Sequence, residues 1–293
     1  MKVLLTGSSG FLGTRLVTEL RRAGATVVPT SRGSTDGVQC DLEHPESLRD
    51  VVQRQAPDAV VNAAAYGAIS SQADAVRMAR VNAVGCLALF EAAEAAGVTR
   101  FVHLGTAFEY GPCTQAVDES SALQPLGSYA ASKAAGSLML RERARRASLP
   151  ATILRLFNLY GRGNRLPRLD AQIERAATAR EPLSLTAGAQ RRDFLDVGYV
   201  AVAIARVVLA PAELFPAGAT LDLARGVPWT VREFAEAYAA ALGAADLLCF
   251  GQMAERADAP SDLFTHAARW RALAERLGVA PPLEAAAALA QES

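Results

Sequence analysis

Lysine is the residue type that this sequence most lacks. Of the thirty basic residues in the 293-residue chain only two are lysine, Lys2 and Lys133, and all the others are arginine. Thirty acidic residues balance the basic ones, so no net field attracts the protein to nucleic acid or to an anionic membrane surface. We therefore expect no nucleic-acid partner, and a lysine at a defined spacing from another motif residue becomes informative.

Cysteine, histidine and long apolar runs are scarce as well. The four Cys and three His are dispersed and form no Cys-x-x-Cys pair, which predicts reduced thiols and no metal site. The most apolar stretch, residues 197–210, is interrupted by Arg206 and is shorter than the ~20 residues needed to cross a bilayer. The first apolar run ends directly in Thr6-Gly7, which predicts a strand and not a signal peptide. We expect a cytoplasmic protein without a membrane partner.

Short apolar segments alternate with helix-length stretches in the first half of the chain. The strand-like segments are residues 2–6, 26–30, 59–62, 101–104 and 152–157, and the helical ones include residues 12–23, 73–96 and 129–147. This βαβ order predicts an α/β fold of Rossmann type, a doubly wound parallel sheet with helices on both faces. We expect a dinucleotide-binding domain over residues 1–157. A smaller C-terminal substrate-binding lobe should occupy mainly residues 158–293, interleaved with strands and helices that return to the first domain.

A glycine-rich turn follows the first predicted strand and opens the first helix. The segment reads Thr6-Gly7-Ser8-Ser9-Gly10-Phe11-Leu12-Gly13. In this context Gly7 permits a tight turn, Gly10 lets backbone N–H groups approach a pyrophosphate, and Gly13 lets helix and strand pack closely. The turn therefore predicts a bound dinucleotide, and a glycine turn without a ligand is the alternative.

The end of the second strand favours one coenzyme over the other. Ser31-Arg32 stands where NAD-selective proteins usually carry an acidic residue for the ribose hydroxyls. A carboxylate would repel a 2′-phosphate, whereas the Arg32 guanidinium can pair with it and the Ser31 hydroxyl can donate to it. We expect NADP(H) to be favoured over NAD(H), with a solvated Arg32 as the alternative.

Tyr129 and Lys133 form the strongest chemical signal. They are four residues apart, so on a helix they lie one turn apart on the same face. A phenol of ordinary pKa ~10 is a poor acid or base at neutral pH, and a nearby ammonium lowers that pKa by favouring the phenolate. The pair predicts Tyr129 as catalytic acid/base and Lys133 as its partner, since chance pairing is improbable in a chain so poor in lysine.

These motifs resemble those of the extended short-chain dehydrogenase/reductases, the NAD-dependent epimerase/dehydratase family. Asp41-Leu42 is similar to the family's adenine-contacting pair, residues 62–65 to its fourth-strand motif, and Asn82 to its mid-helix Asn. From the residues alone, Asp41 could equally be a cap and Asn82 a structural polar residue. The resemblance implies cofactor contacts by Gly7, Ser9, Gly10, Phe11, Leu12, Gly13, Ser31, Arg32, Asp41, Leu42, Ala63, Ala64, Ala65, Asn82, Tyr129, Lys133 and Phe157.

The resemblance also extends to the fifth strand. The segment Gly105-Thr106-Ala107-Phe108-Glu109-Tyr110-Gly111 resembles the family motif whose Ser/Thr binds the substrate oxygen, which implies that role for Thr106. Sugar-nucleotide 4,6-dehydratases carry Asp-Glu directly after this Thr, where this chain has Ala107-Phe108. The departure argues against dehydration, and the region looks more like nucleotide-sugar 4-ketoreductases such as GDP-4-keto-6-deoxymannose reductase.

Two later segments resemble the substrate-binding signatures of nucleotide-sugar enzymes. By position, Asn158 and Arg192 would contact a substrate diphosphate, although Arg192 could instead pair with Asp193 or Asp196. The resemblance thus implies an NADPH-dependent reductase of the 4-keto group of a nucleotide-linked deoxysugar. A 4-epimerase of nucleotide sugars and a reductase of some other ketone remain alternatives. The helices over residues 73–96 and 129–147 resemble those that pair in homodimers of the family, so we expect a homodimer.

Overall fold

The strands and helices follow the predicted alternation. The structure, a computed structural model, describes residues 1–33, 38–69, 71–164, 167–254 and 262–282. Its strands are β1 (Lys2–Thr6), β2 (Thr26–Ser31), β3 (Val38–Gln39), β4 (Ala59–Asn62), β5 (Arg100–Thr106), β6 (Ala151–Leu156), β7 (Asn158–Tyr160), β8 (Leu183–Ser184), β9 (Arg191–Arg192), β10 (Phe194–Asp196), β11 (Ala219–Leu223), β12 (Trp229–Thr230) and β13 (Leu248–Cys249). Its α-helices are α1 (Phe11–Arg22), α2 (Leu48–Gln55), α3 (Ala75–Ala79), α4 (Cys86–Ala95), α5 (Ser128–Ala144), α6 (Leu169–Ala179), α7 (Val197–Leu209), α8 (Val231–Ala241) and α9 (Ala268–Arg276).

A parallel sheet forms the centre of the described chain. Seven strands are hydrogen-bonded in the order β11-β6-β5-β4-β1-β2-β3, and every residue of β4 and β5 is buried. Alternate side chains enter opposite layers: Val61 packs with α1 and α7, whereas Val60 packs with α2 and α4. Helices therefore cover both faces, which is the doubly wound α/β fold predicted from the sequence.

The predicted helix over residues 73–96 is interrupted by a different helical geometry. Residues 75–95 are helical, but Arg80–Gly85 form a π-helical segment between α3 and α4. Helix α5 lies directly against this segment, because a Cβ added at Gly136 would stand 2.1 Å from the Asn82 carbonyl oxygen. On the other side of the segment, a Cβ added at Gly85 would stand 2.3 Å from the Leu42 carbonyl oxygen. Small residues thus hold the π-helical segment between α5 and the loop after β3.

The second half of the chain contributes to two regions. Strand β11 returns to the sheet and pairs in parallel with β6, and α7 is the apolar stretch noted in the sequence, packed on α1. Helices α6 and α8 enclose a separate small core of Tyr160, Ile173, Leu185, Phe234 and Tyr238. The pairings β10–β7, β12–β9 and β13–β8 are separate from the seven-stranded sheet, and β7 begins two residues after β6 ends. The cleft between the small core and the carboxyl edge of the sheet contains the site described below.

Membrane-spanning helices and metal-binding clusters can be assessed for the described residues only. No helix within the described ranges is both long and apolar enough to span a bilayer. In the same ranges, no group of three or more His, Cys, Asp and Glu side chains is arranged to hold a metal ion.

Candidate active site

The glycine turn has the geometry of a phosphate cradle. Gly7 has φ +68°, and a Cβ there would lie 2.8 Å from the Ala63 and Ala64 backbone. A Cβ on Gly13 would lie 2.1 Å from the Gly7 carbonyl oxygen, so α1 starts in close contact with the turn. Gly10 is the N-cap of α1 and no side chain of the described residues caps it. The first-turn N–H groups are thus available to a phosphate, which the helix dipole also favours.

A pocket of about 230 Å³ opens beside this turn. It is lined by Gly7, Ser9, Gly10, Ser31, Arg32, Cys40, Asp41, Leu42, Ala63, Ala64, Ala65, Tyr66 and Val81. Ten of these residues were predicted from the sequence to contact the cofactor, and they come from the ends of β1, β2, β3 and β4. Arg32 is exposed at this pocket. Asp41 also caps the following turn, because its Oδ1 accepts from Glu43 N at 3.0 Å.

Asn82 fixes the loop after β4 and does not line that pocket. Its Oδ1 accepts from Tyr66 N at 2.9 Å, and its Nδ2 donates to the Tyr66 carbonyl at 2.7 Å. The same Nδ2 donates to Ser132 Oγ at 2.9 Å, and Ser132 Oγ donates to the Tyr129 carbonyl at 2.8 Å. Asn82 is almost fully buried, so it connects the loop lining the pocket to the helix that carries Tyr129.

Thr106 lies at the end of β5, where a capping box holds it. Its Oγ1 accepts from Phe108 N at 3.3 Å, and its own N–H donates to Glu109 Oε1 at 3.0 Å. Glu109 is completely buried and also accepts from Ser137 Oγ and from Arg155 Nε, both at 2.9 Å. Because the Phe108 N–H is directed at a lone pair of Thr106, the hydroxyl hydrogen of Thr106 can donate to a ligand.

Tyr129 and Lys133 occupy the same face of α5 at different depths. Tyr129 is half-buried and lines a cavity, whereas Lys133 is only 2% exposed beneath it. The sequence led us to expect that Lys133 lowers the pKa of Tyr129, but burial raises it, and the charge that opposes this shift is the Arg168 guanidinium. Burial lowers the pKa of Lys133, whose Nζ donates to the Leu104 carbonyl at 2.7 Å. At neutral pH the phenol therefore retains its proton and can act as a proton donor.

The cavity beside Tyr129 measures about 380 Å³. Its lining residues come from both halves of the chain: Ala68, Gly105, Thr106, Phe108, Tyr129, Leu156, Phe157, Asn158, Leu159, Tyr160, Arg168, Leu169, Asp170, Phe194 and Phe234. Thr106, Tyr129, Phe157 and Asn158 were predicted site residues. Phe194 and Phe234 are stacked with ring centroids 3.9 Å apart. The cavity lining thus combines the hydroxyl-bearing side chains of Thr106 and Tyr129 with several aromatic side chains.

Other predicted residues lie outside both openings. Phe11, Leu12 and Gly13 form the start of α1, and Lys133 lies below the cavity. Arg192 is 6% exposed in β9 and donates from NH1 to the Arg191 carbonyl at 2.8 Å.

Arg168 lines the cavity, as Tyr129 does; from the sequence it was only one of several arginines that could assist Asn158 and Arg192, with a chance cluster in an arginine-rich chain as the alternative. Phe108, Phe194 and Phe234 were not predicted as lining residues.

The doubly wound sheet, the glycine cradle and the Tyr129–Lys133 pair together define an extended short-chain dehydrogenase/reductase. The chain belongs to the NAD dependent epimerase/dehydratase family, whose profile matches residues 3–219. The family assignment made from the sequence motifs is therefore confirmed.

Known relatives differ in the reaction that their names describe. A dTDP-4-dehydrorhamnose reductase of Burkholderia thailandensis is 36% identical over 146 residues, which are 48% of this chain and 46% of that protein. The chain thus spans about half of that relative's length. A UDP-glucose 4-epimerase of Mycolicibacterium smegmatis is 29% identical over 273 residues, 84% of each protein. The crystal structure of a dTDP-glucose 4,6-dehydratase from Streptomyces venezuelae, with NAD bound, has a TM-score of 0.84 at 26% identity and covers 99% of this chain and 95% of that one.

Proposed function

We propose that this enzyme uses NADPH to reduce a keto group, namely the 4-keto group of a nucleotide-linked deoxysugar. The observation that carries the proposal is that Thr106 and Tyr129 line the same cavity, together with Phe108. The relatives named above act by name on nucleotide sugars, which supports this substrate class. They include a reductase, an epimerase and a dehydratase, so the reaction has to be argued from the residues.

The residues after Thr106 do not suit dehydration. The positions where 4,6-dehydratases carry Asp-Glu are occupied by Ala107, which is buried in the core, and by Phe108, which lines the cavity. The next acid, Glu109, is fully buried against Arg155 and is absent from the cavity lining. Asp170 does line the cavity, but its carboxylate accepts from Gly161 N and Asn164 Nδ2. This arrangement favours proton donation by Tyr129 alone over elimination of water.

In the proposed mechanism the chain positions a carbonyl and supplies one proton. When bound, the reduced coenzyme would supply the hydride that the carbonyl carbon takes up. Thr106 donates its hydroxyl hydrogen to the carbonyl oxygen, and Tyr129 transfers its proton to that oxygen as negative charge develops there. Lys133, one helical turn away, favours the phenolate that remains on Tyr129. The products are the alcohol and the oxidised coenzyme.

The cofactor would be held by the cradle and pocket described above. The uncapped start of α1 suits a pyrophosphate, and the pocket beside it suits the adenosine half. Exposed Arg32 would pair with the 2′-phosphate of NADP(H), with Ser31 beside it. Asp41 lines the same pocket, but it follows β3, whereas the acid of NAD-selective proteins follows β2. On this basis we propose that the enzyme prefers NADP(H) over NAD(H). The proposed source of NADPH is the mostly reduced NADP pool of the cytoplasm.

Substrate binding is proposed to involve both lobes. We assign residues 1–157 mainly to the dinucleotide and residues 158–293 mainly to the substrate. Asn158 lines the cavity and is a candidate contact of the diphosphate. Arg168 also lines the cavity, and its guanidinium suits phosphate oxygens. Arg192 is only 6% exposed and is not among the residues that line the cavity, so its proposed diphosphate role requires its side chain to move.

A panel of ketones tests the proposed reaction. The protein is mixed with NADPH and, separately, with nucleotide 4-keto-6-deoxysugars, nucleotide 4-hydroxysugars and non-sugar ketones, while the absorbance of the reduced nicotinamide is followed. We expect NADPH oxidation with a nucleotide ketosugar. Oxidation with non-sugar ketones alone would refute the sugar substrate. Interconversion of 4-hydroxysugars without net oxidation would identify an epimerase.

We further propose a homodimer formed through α3, the π-helical segment and α5. These neighbouring helices expose Val76, Val84, Leu138 and Met139, between 38% and 69% of their surface. Ala83 and Gly85 of the π-helical segment are buried and pack inside the protomer.

Light scattering at micromolar protein concentration tests the proposed dimer. We expect twice the chain mass for the wild type and a monomer for Met139→Asp, because a buried carboxylate opposes association. A monomeric wild type contradicts the proposal.

A further inference from the structure

A buried histidine lies beneath the Tyr129–Lys133 pair. His103 is in β5 and has no exposed surface. Its Nε2 lies 3.4 Å from Lys133 Nζ, and Nζ also donates to the Leu104 carbonyl at 2.7 Å. A buried ammonium has three hydrogens to donate and loses the solvation of water, so each acceptor around it stabilises the charged form.

The surroundings of His103 keep it neutral. Burial and the charge of Lys133 both lower its pKa well below the ordinary value. Neutral imidazole has one unprotonated nitrogen, and the ammonium, which can only donate, favours the tautomer in which that nitrogen is Nε2. Nδ1 then carries the hydrogen and faces Cys86 Sγ at 3.4 Å. Asn62 Nδ2, 3.2 Å from Nδ1, is also a donor and favours the opposite tautomer, so Lys133 and Asn62 compete for the single acceptor nitrogen of His103. In the tautomer protonated at Nδ1, His103 is an acceptor for Lys133 over the whole neutral range.

We propose that His103 is a positioning residue that keeps Lys133 charged and directed toward the Tyr129 side of α5. It touches neither cavity and acts only through Lys133. The inference rests on the proposed function for the importance of Lys133 in turnover, but the contact itself can be measured without any substrate. The sequence did not predict a role for His103, because its contact with Lys133 joins β5 to α5 across thirty residues.

The other groups that face Lys133 do not replace this acceptor. Burial raises the pKa of Cys86, on α4, to about 11, so its thiol is uncharged. Glu109, in the turn after β5, favours the charge of Lys133 at longer range, but its carboxylate is hydrogen-bonded to Thr106 N, Ser137 and Arg155. Removal of the His103 acceptor should consequently lower the pKa of Lys133 further.

The scarcity of lysine makes this pKa directly measurable. Lysine labelled with carbon-13 at Cε gives signals from Lys2 and Lys133 only, and a Lys2→Arg background leaves the Lys133 signal alone. An NMR pH titration of the whole protein then reports the protonation of Lys133. We expect His103→Leu to lower its titration midpoint by about one pH unit, a tenfold change, and His103→Gln, which keeps an acceptor, to restore it.

Two further variants distinguish the loss of the hydrogen-bond acceptor at His103 from a loss of packing around it. His103→Phe lacks the acceptor but keeps a ring, and we expect the same fall in midpoint as for His103→Leu. Ile153→Ala removes buried volume on the paired position of the neighbouring strand, so it should lower the melting temperature without moving the Lys133 midpoint. The proposal is wrong if the acceptor-free variants titrate like the wild type, if Ile153→Ala shifts the midpoint equally, or if His103→Gln fails to restore it.

Discussion

Replacing Tyr129 by Phe is expected to lower turnover by about 10²-fold or more while leaving coenzyme affinity nearly unchanged. The ring is half-buried in the cavity wall, and Phe preserves that packing while removing only the hydroxyl group. Burial raises the pKa of this phenol, so it is protonated at neutral pH, and in the proposed mechanism it is the proton donor that the substitution removes. Steady-state turnover and NADPH titration by fluorescence measure the two effects separately.

Tyr199→Phe is the matched control for this substitution. Its hydroxyl accepts from Trp270 Nε1 at 3.0 Å, away from the cavity lining, so its loss should reduce stability and leave turnover close to the wild-type value. Equal turnover of the Tyr129→Phe protein and the wild type would remove Tyr129 from the mechanism. A fall in turnover with a parallel fall in coenzyme affinity would instead assign it to binding.

Arg32→Asp should reverse or weaken the preference for NADPH over NADH. The substitution removes a charge-assisted hydrogen bond to the 2′-phosphate and adds a repulsive charge, worth about 1–3 kcal/mol, or roughly 5- to 150-fold in the ratio of kcat/KM values. The same carboxylate can accept from the ribose hydroxyls of NADH. Efficiencies measured with both coenzymes give the ratio directly.

Arg49→Asp controls for the change in net charge. Arg49 is exposed in the first turn of α2, outside the lining of the adenosine-side pocket. We expect its coenzyme ratio to match that of the wild type. If the wild type already uses both coenzymes equally, and Arg32→Asp does not alter that, Arg32 has no part in selection.

Local patterns were sufficient to predict the glycine turn and the buried strands of the first half of the chain. The glycine turn needs a positive φ at Gly7 and a close backbone contact at Gly13. Both needs are met by glycine, so the turn is visible in the sequence as glycines at a fixed spacing. The Tyr129–Lys133 spacing likewise fixes a shared helix face. Buried strands such as β4 and β5 appear in the sequence as short apolar runs because both of their faces are covered.

The contacts between the two halves could not be predicted in the same way. Glu109 and Arg155 are forty-six residues apart, and their buried pair depends on β5 and β6 being neighbours in register. Arg168 reaches the cavity only because α6 folds back over the sheet edge, and nothing local distinguishes it from other arginines. The strands β8, β9, β12 and β13 have two residues each, which is too short to show an alternation of apolar and polar residues in the sequence.

Isotope transfer from the coenzyme tests the central claim most directly. NADPH carrying deuterium at the transferred position of the nicotinamide is incubated with the protein and a nucleotide 4-keto-6-deoxysugar, and the product is analysed by mass spectrometry and NMR. A reductase places one deuterium on the former carbonyl carbon for each coenzyme oxidised. Product without deuterium, formed by protein that retains tightly held NAD and leaves the NADPH unoxidised, would contradict the proposed reaction.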